Sequence, residues 1–275
     1  MPITRRQFLR GASLVGAAGA IPMLRGLSVE LNTRELPLWN DDGPALRLAH
    51  LTDLHSSTVI SLDHIQSAID LALSARPDLA CFTGDYVNGV APDPDGLVRV
   101  LRRLADHVPC FACLGNHDGG RWSANRGGPA TPDAVIDLLR AAGIHVLHDT
   151  TEAVTLHDRR LLLTGVADLW SSDVDPAHAG FAPDPDPRIV LAHNPDTKDA
   201  LRHQPWQLML SGHTHGGQIR LPFFGGRLTA PVKDDRFIEG LLPWHDRHLH
   251  ISRGIGALGG VRLNCPPEIN LLTLT

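Results

Sequence analysis

Basic runs are missing from this chain beyond its N-terminus, and the formal charge is −5. Without a basic patch or stripe it lacks the electrostatic footprint of a nucleic-acid binder, and no nucleic acid is expected as a partner. Arg supplies all but two of the 25 basic residues, a bias that reflects gene composition rather than function. Cysteine is scarce, at four. Cys110 and Cys113 form a C-x-x-C inside the apolar run Cys110-Phe111-Ala112-Cys113-Leu114, where strand residues three apart point to opposite faces. They are therefore not expected to pair or to share an ion. Cys81, in Leu79-Ala80-Cys81-Phe82, sits in a similar run, and free, buried thiols are the expected state. No internal repeat is visible. The apolar stretch Gly11–Leu24 is short for a membrane span and carries Pro22. What remains is an ordinary globular composition, 43% hydrophobic and 20% charged over 275 residues, enough for one large domain with a real core.

The first residues are read as a targeting segment. Thr4-Arg5-Arg6-Gln7-Phe8-Leu9 resembles a twin-arginine export signal, and Ala18-Gly19-Ala20 offers a small-residue cleavage site. The expected organisation is a signal over 1–24, an extended lead-in over 25–43 and one domain over 44–275. Export places the protein in the periplasm or on the outer face of the cytoplasmic membrane, with the twin-arginine machinery as a partner and peripheral membrane association allowed for.

From Leu46 apolar strand-like runs alternate with helical spacing. Leu46–Thr52, Leu79–Thr83 and Phe111–Leu114 read as buried strands. Helices are expected over Ser61–Ala75 with Ser61 as cap, from Asp93-Pro94 through Leu104, and from Thr131-Pro132 through Leu139. The second half is richer in strands: Ala153–Leu156, Leu161–Val166, Ile189–Ala192, Leu208–Leu210, then short segments around Ile219, Phe237–Leu241, His250–Ser252 and Ile269–Leu274. The pattern is α/β with covered sheet faces. Gly119–Ala130 and Ser171–Arg188 are irregular stretches of the kind that form lids.

Five short polar blocks stand where strand-like runs end: Asp53-Leu54-His55, Gly84-Asp85, Gly115-Asn116-His117-Asp118, His193 and Gly212-His213-Thr214-His215. Alone, a D-x-H or a Gly-Asp is an ordinary turn. Together they follow one rule, since ligands of open α/β sheets gather outside the carboxyl ends of the strands. Carboxylate, amide and imidazole donors without thiolate suit Mn²⁺, Fe or Zn²⁺, and seven of them exceed the needs of one ion. The set reads as a two-metal hydrolytic site. Asp53 and His55, at i and i+2, are expected to point the same way. Of the other histidines, His50 and His250 among them, surface or packing roles are expected, with His178 a candidate substrate contact.

With these blocks in this order, the chain resembles the calcineurin-like metallophosphoesterases over Leu46–Thr275. Gly212-His-Thr-His-Gly-Gly-Gln218 and Asn264-Cys-Pro-Pro-Glu-Ile269 are similar to its YkuE/YaeI-like branch, which also carries twin-arginine signals. The resemblance implies a single-domain, four-layer αββα sandwich. It assigns Asp53, His55, Asp85 and His215 to one divalent cation, and Asp85, Asn116, His193 and His213 to the second, with Asp85 shared. His117 matches the family's catalytic histidine. The implied chemistry is hydrolysis of a phosphoester, a diester before a monoester, by a hydroxide bridging the two cations with His117 as general acid. The substrate would be a small-molecule or lipid-linked phosphoester. Two alternatives stay open: a UDP-2,3-diacylglucosamine-type pyrophosphate hydrolase, and a non-catalytic protein binding metal or phosphate on the same fold. Export of an already folded chain suits a protein that loads its metals first.

One departure stands out. Many relatives read G-D-x-x-D-R where this chain has Gly84-Asp85-Tyr86-Val87-Asn88-Gly89. Asn88 is expected to orient His117 through its amide oxygen, and Arg121 and Arg253 are candidate phosphate contacts. The single tyrosine, Tyr86, stands two positions before the place where purple acid phosphatases carry a Tyr ligand, so no tyrosinate–iron site is expected.

Overall fold

The computed structural model describes residues 28–172, 179–221 and 232–275, and the backbone of 227–228. The signal segment and His178 lie outside the described residues. Two six-stranded sheets face each other. The first runs β1 (Glu30–Leu36), β14 (Glu268–Leu274), β2 (Leu46–Leu51), β3 (Leu79–Thr83), β4 (Cys110–Cys113), β5 (His145–Val146). The second runs β12 (Gly240–Trp244), β13 (Arg247–Ile251), β9 (Leu208–Ser211), β8 (Arg188–Leu191), β7 (Arg159–Gly165), β6 (Thr150–Leu156). A small ribbon pairs β10 (Ile219–Arg220) with β11 (Arg227–Leu228). Strands β2 to β5 are mutually parallel, as are β7, β8, β9 and β13. The stretch expected as a lead-in supplies β1, which pairs in parallel with β14 at the sheet edge.

Strands covered on both faces read as nearly continuous apolar runs, with alternate residues feeding different cores. Leu46 and Leu48 enter the core between the sheets, with Leu79, Cys81, Phe111 and Cys113 opposite Leu163, Ile189, Leu191 and Leu208. Ala49, Leu51, Ala80, Phe82, Cys110 and Ala112 face helices α1 (Leu62–Ser74), α2 (Pro94–Ala105) and α4 (Asp133–Ala141). Cys110 and Cys113 thus fall in different cores, and all four thiols are free and buried. Ser61 accepts from the His64 amide and Asp93 from that of Gly96, capping α1 and α2. The outer face of the second sheet is covered by Trp206, Phe237, Phe181 and the one-turn helix α5 (Thr197–Ala200). The α/β sandwich is present, with its fourth layer thinned to that turn and to loops.

Between the sheets lies a polar pair inside an apolar core. His50 of β2 and His250 of β13 are buried, their Nδ1 atoms 2.8 Å apart, and His50 Nε2 meets the Thr83 hydroxyl at 2.8 Å. Two facing Nδ1 atoms at that distance require one donor and one acceptor, so at least the accepting ring is neutral, and burial disfavours the charged form of either. Burial pushes His50 well below the ordinary imidazole range, with His250 adding to it, and burial takes His250 down to about 3. Unfolded, each ring takes up a proton near about pH 6.5. Above that pH the pair adds no pH dependence. Below it the unfolded chain gains protons that the folded chain refuses, costing up to about 1.4 kcal/mol per pH unit per ring. Urea midpoints followed from roughly pH 7 to 4 are expected to fall less steeply in His250→Asn than in the parent. Equal slopes would remove this pair from the acid response.

Candidate metal centre

The carboxyl ends of β2, β3 and β4 in one sheet and of β8 and β9 in the other open onto the same edge. The five polar blocks follow those five strands, so residues as far apart as Asp53 and His215 meet there, 3.3 Å between Asp53 Oδ1 and His215 Nε2. Asp53, His55, Asp85, Asn116, His193, His213 and His215 are each no more than 3% exposed. Three overlapping groups have donor atoms within 4.8 Å of one another: Asp53, His55 and His215; Asp53, Asp85 and His193; His55, Asp85 and His117. Asp85 Oδ2 sits 3.5 Å from His55 Nε2 and 3.2 Å from His193 Nε2, between the two clusters. His55 Nε2 lies 3.1 Å from His215 Nε2. His213 Nδ1 lies 2.9 Å from Asn116 Oδ1 and 3.3 Å from His193 Nε2. His193 Nδ1 donates to the Thr83 carbonyl at 2.7 Å, which turns its Nε2 inward onto Asp85 Oδ2, the nitrogen that would ligate a cation once deprotonated. These donors fit hard or borderline divalent cations.

The local backbone is not that of a strand. Asp53, His55, Asp85, His213 and His215 all have positive φ, between 47° and 69°. The i, i+2 alternation expected for Asp53 and His55 therefore does not apply: β2 ends at Leu51, and left-handed turns aim both side chains. Each such residue costs about 1–2 kcal/mol, and strain of this kind gathers at functional sites. Close packing accompanies it. A β-carbon at Gly115 would run into the Asp85 carboxylate, and one at Gly212 into that of Asp53.

Asp118, in the same block as Asn116 and His117, ties two loops together. Its Oδ2 accepts from the Asp85 and Gly115 amides at 2.8 and 2.7 Å, and its Oδ1 from the Tyr86 amide at 2.8 Å. Burial and then the Asp85 charge push its carboxyl up, and the amides pull it back. Arg262, which carried no sequence signal, is buried among carbonyls of Gly256, Arg253, Gly254, His215 and Cys265 and lies 3.3 Å from His215 Nδ1. Burial opposes ionisation of Asp85, yet His193 and then His117 hold its carboxyl well below the ordinary range. Burial likewise opposes ionisation of Asp53, and His215 and His55 overcome it. Burial lowers His117 to about 4 against the pull of Asp85, and takes His213 to about 3.

His117 is held differently from the expectation. Asn88 is exposed and makes no hydrogen bond to it. The ring packs instead against His55 (centroids 4.8 Å, 88°) and Trp122 (4.5 Å), while its amide donates to Asp85 Oδ1 at 2.9 Å. Trp122 belongs to the one-turn helix α3 (Arg121–Ala124), inside the loop read as a lid. Trp170 stacks on Trp122 and meets His213 edge-on at 4.3 Å. Asp168 positions that second tryptophan by accepting from the Trp170 and Ser171 amides, each at 2.9 Å. Arg253 is not a phosphate contact: Glu30 and Glu268 pair with it at 2.8 and 2.6 Å. Tyr86 is buried and donates to the Cys113 carbonyl at 2.9 Å, so it is no ligand.

The five blocks on two facing sheets have counterparts among known proteins. Residues 46–217 match the calcineurin-like phosphoesterase family, and the chain belongs to that family, whose members use divalent metals. Residues 2–22 match the twin-arginine translocation pathway signal sequence. The chain is 37% identical over 277 residues to the phosphodiesterase YaeI of Escherichia coli, covering 99% of each. It is 29% identical to the uncharacterized metallophosphoesterase YkuE of Bacillus subtilis, over 99% of this chain and 98% of the other. It is also 28% identical to the UDP-2,3-diacylglucosamine pyrophosphatase LpxG of Chlamydia trachomatis, over 82% and 83%.

Proposed function

We propose that this protein is a dinuclear-metal phosphodiesterase working outside the cytoplasmic membrane. The observation that supports it most is the convergence of seven buried oxygen and imidazole donors at the carboxyl edges of both sheets. Likeness to a protein named a phosphodiesterase over 99% of both chains favours diesters over monoesters. The export signal favours the periplasm or the outer membrane face. Asp53, His55, Asp85 and His215 would hold one cation, and Asp85, Asn116, His193 and His213 the other, with Mn, Fe or Zn suited to the donors. Two such cations, when bound, supply Lewis-acid charge and a water of lowered pKa.

The chain's own residues do the rest. Asp85, between the clusters, fixes their relation. Asp118 and Arg262 hold the loops that carry the donors. His117, at the open side of the site, would donate a proton to the leaving oxygen as general acid from the minority protonated form, since burial lowers it to about 4. The reading predicts that His117→Ala lowers kcat on an alkyl diester by about 10²- to 10⁴-fold while the metal content stays at the parent level. Unchanged kcat would remove His117 from the chemistry. A second reading, a non-catalytic metal- or phosphate-binding protein, draws on one observation: among the described residues the His117 ring has no hydrogen-bonded partner to orient it. Metal-dependent turnover of bis-p-nitrophenyl phosphate separates the two.

A further inference from the structure

The arginine that many relatives carry after their second aspartate is absent here, and Arg253 is engaged elsewhere. A different arginine borders the open side of the site. A cleft of about 240 Å³ lies beside His117, lined by Asn88, Trp122, Ser123 and Arg126 as well. That volume is below the about 300–1,000 Å³ of a pocket enclosing a whole drug-sized ligand. It suits one arm of an ester. The Arg126 guanidinium lies over the Trp122 ring, 4.0 Å from its centroid, with one nitrogen 3.5 Å from the Trp122 carbonyl. Among the described residues no carboxylate pairs with it. A guanidinium laid on an indole is held by its face and keeps its N–H edge for a planar or tetrahedral anion. Trp122 in turn rests on Trp170 and on His117, so the cation is tied to the group that faces the leaving oxygen.

We propose that this cleft is the subsite for the leaving half of the ester and that Arg126, seated on Trp122, selects leaving groups that carry a negative charge of their own, a carboxylate or a second phosphate. The proposal rests on the phosphodiesterase reading with His117 on the leaving side. In the reaction the P–O bond to the leaving group breaks and the oxygen of water bonds to phosphorus. One proton of that water ends on the leaving oxygen or in solvent, and Arg126 holds the distal anion without exchanging a proton.

The test uses two isosteric substrates, bis-p-nitrophenyl phosphate and bis(4-carboxyphenyl) phosphate, with the full metal-loaded protein. Arg126→Ala is expected to lower kcat/KM on the carboxylate ester by about 10- to 100-fold, the worth of a charge-assisted hydrogen-bonded pair, and to leave the nitro ester within about threefold. Arg126→Lys keeps the charge and loses the fork, so it recovers part of the loss. Trp122→Ala removes both the seat of the guanidinium and the ring that packs against His117, so it is expected to lower turnover of both esters, the carboxylate ester by more. ADP-ribose, whose leaving group is a phosphate monoester, forms a third arm. A greater loss there than on the carboxylate ester assigns a phosphate, a smaller one a carboxylate, and either supports the proposal. Equal effects on all substrates, or none on any, would overturn it. A parent protein that hydrolyses none of them overturns the phosphodiesterase reading itself, and the two failures are thereby distinct.

Discussion

Asp85→Ala is expected to cost at least about 10³-fold in turnover, in line with the several kcal/mol that metal charge supplies to such reactions, and to lower bound metal at the same time. Asp85 Oδ2 is the one oxygen set between His55 Nε2 and His193 Nε2, so its loss removes a donor from both clusters. It also leaves the imidazoles of His55, His193, His213 and His215 crowded together with a single remaining carboxylate, Asp53, among them. Elemental analysis of the variant should read below the parent by half or more. Far-ultraviolet circular dichroism is expected to match the parent, because the strands that end at this edge are held by cores the carboxylate does not touch. A variant with full metal and full turnover would remove Asp85 from its assigned place. Asp85→Asn keeps one oxygen and should fall between the two.

Asp118→Ala is expected to be the most destabilising single change near the site, by about 3 kcal/mol or more. It leaves three buried amides, those of Asp85, Tyr86 and Gly115, without acceptors, each costing about 1–3 kcal/mol. Burial of the lost carboxylate itself offsets part of that sum. The change also frees the loop after β3 from the loop after β4, which carry Asp85 and Asn116. Activity should therefore drop more than stability alone accounts for, and excess metal should restore part of it. Asp118→Asn keeps the Oδ1 position, which serves Tyr86, and should cost less. A urea midpoint within error of the parent for Asp118→Ala would contradict this role.

Much of this was legible in the chain because it is local. Leu79–Thr83 has the expected bounds, and Ser61 and Asp93 cap the helices they precede, since an apolar run or a cap is decided within a few residues. That the seven polar side chains meet at one edge was legible for the same reason: each follows a buried strand. What was hidden depends on meetings between distant loops. Arg262 is satisfied by carbonyls from three segments, and carbonyls leave no trace in side-chain patterns. Trp122 and Trp170 look like ordinary core aromatics until Asp168 folds the second against the first. The left-handed turns at Asp53 and His55 replaced an alternation that only an extended chain obeys. His50 and His250 look like stray polar residues in apolar strands until the sheets bring them into contact. The final strands show the converse. Phe237–Leu241 was expected, whereas β12 spans Gly240–Trp244, a half-buried edge strand that tolerates Pro243 because one of its sides needs no ladder.

If seven side chains from five loops grip two cations, metal stoichiometry shows it most directly. Protein stripped of metal, re-equilibrated with Mn²⁺ and passed through a desalting column is expected to retain about two ions per chain, and about one or fewer in Asp85→Ala. Retention of no metal by the parent, or the same content in parent and variant, would contradict the account.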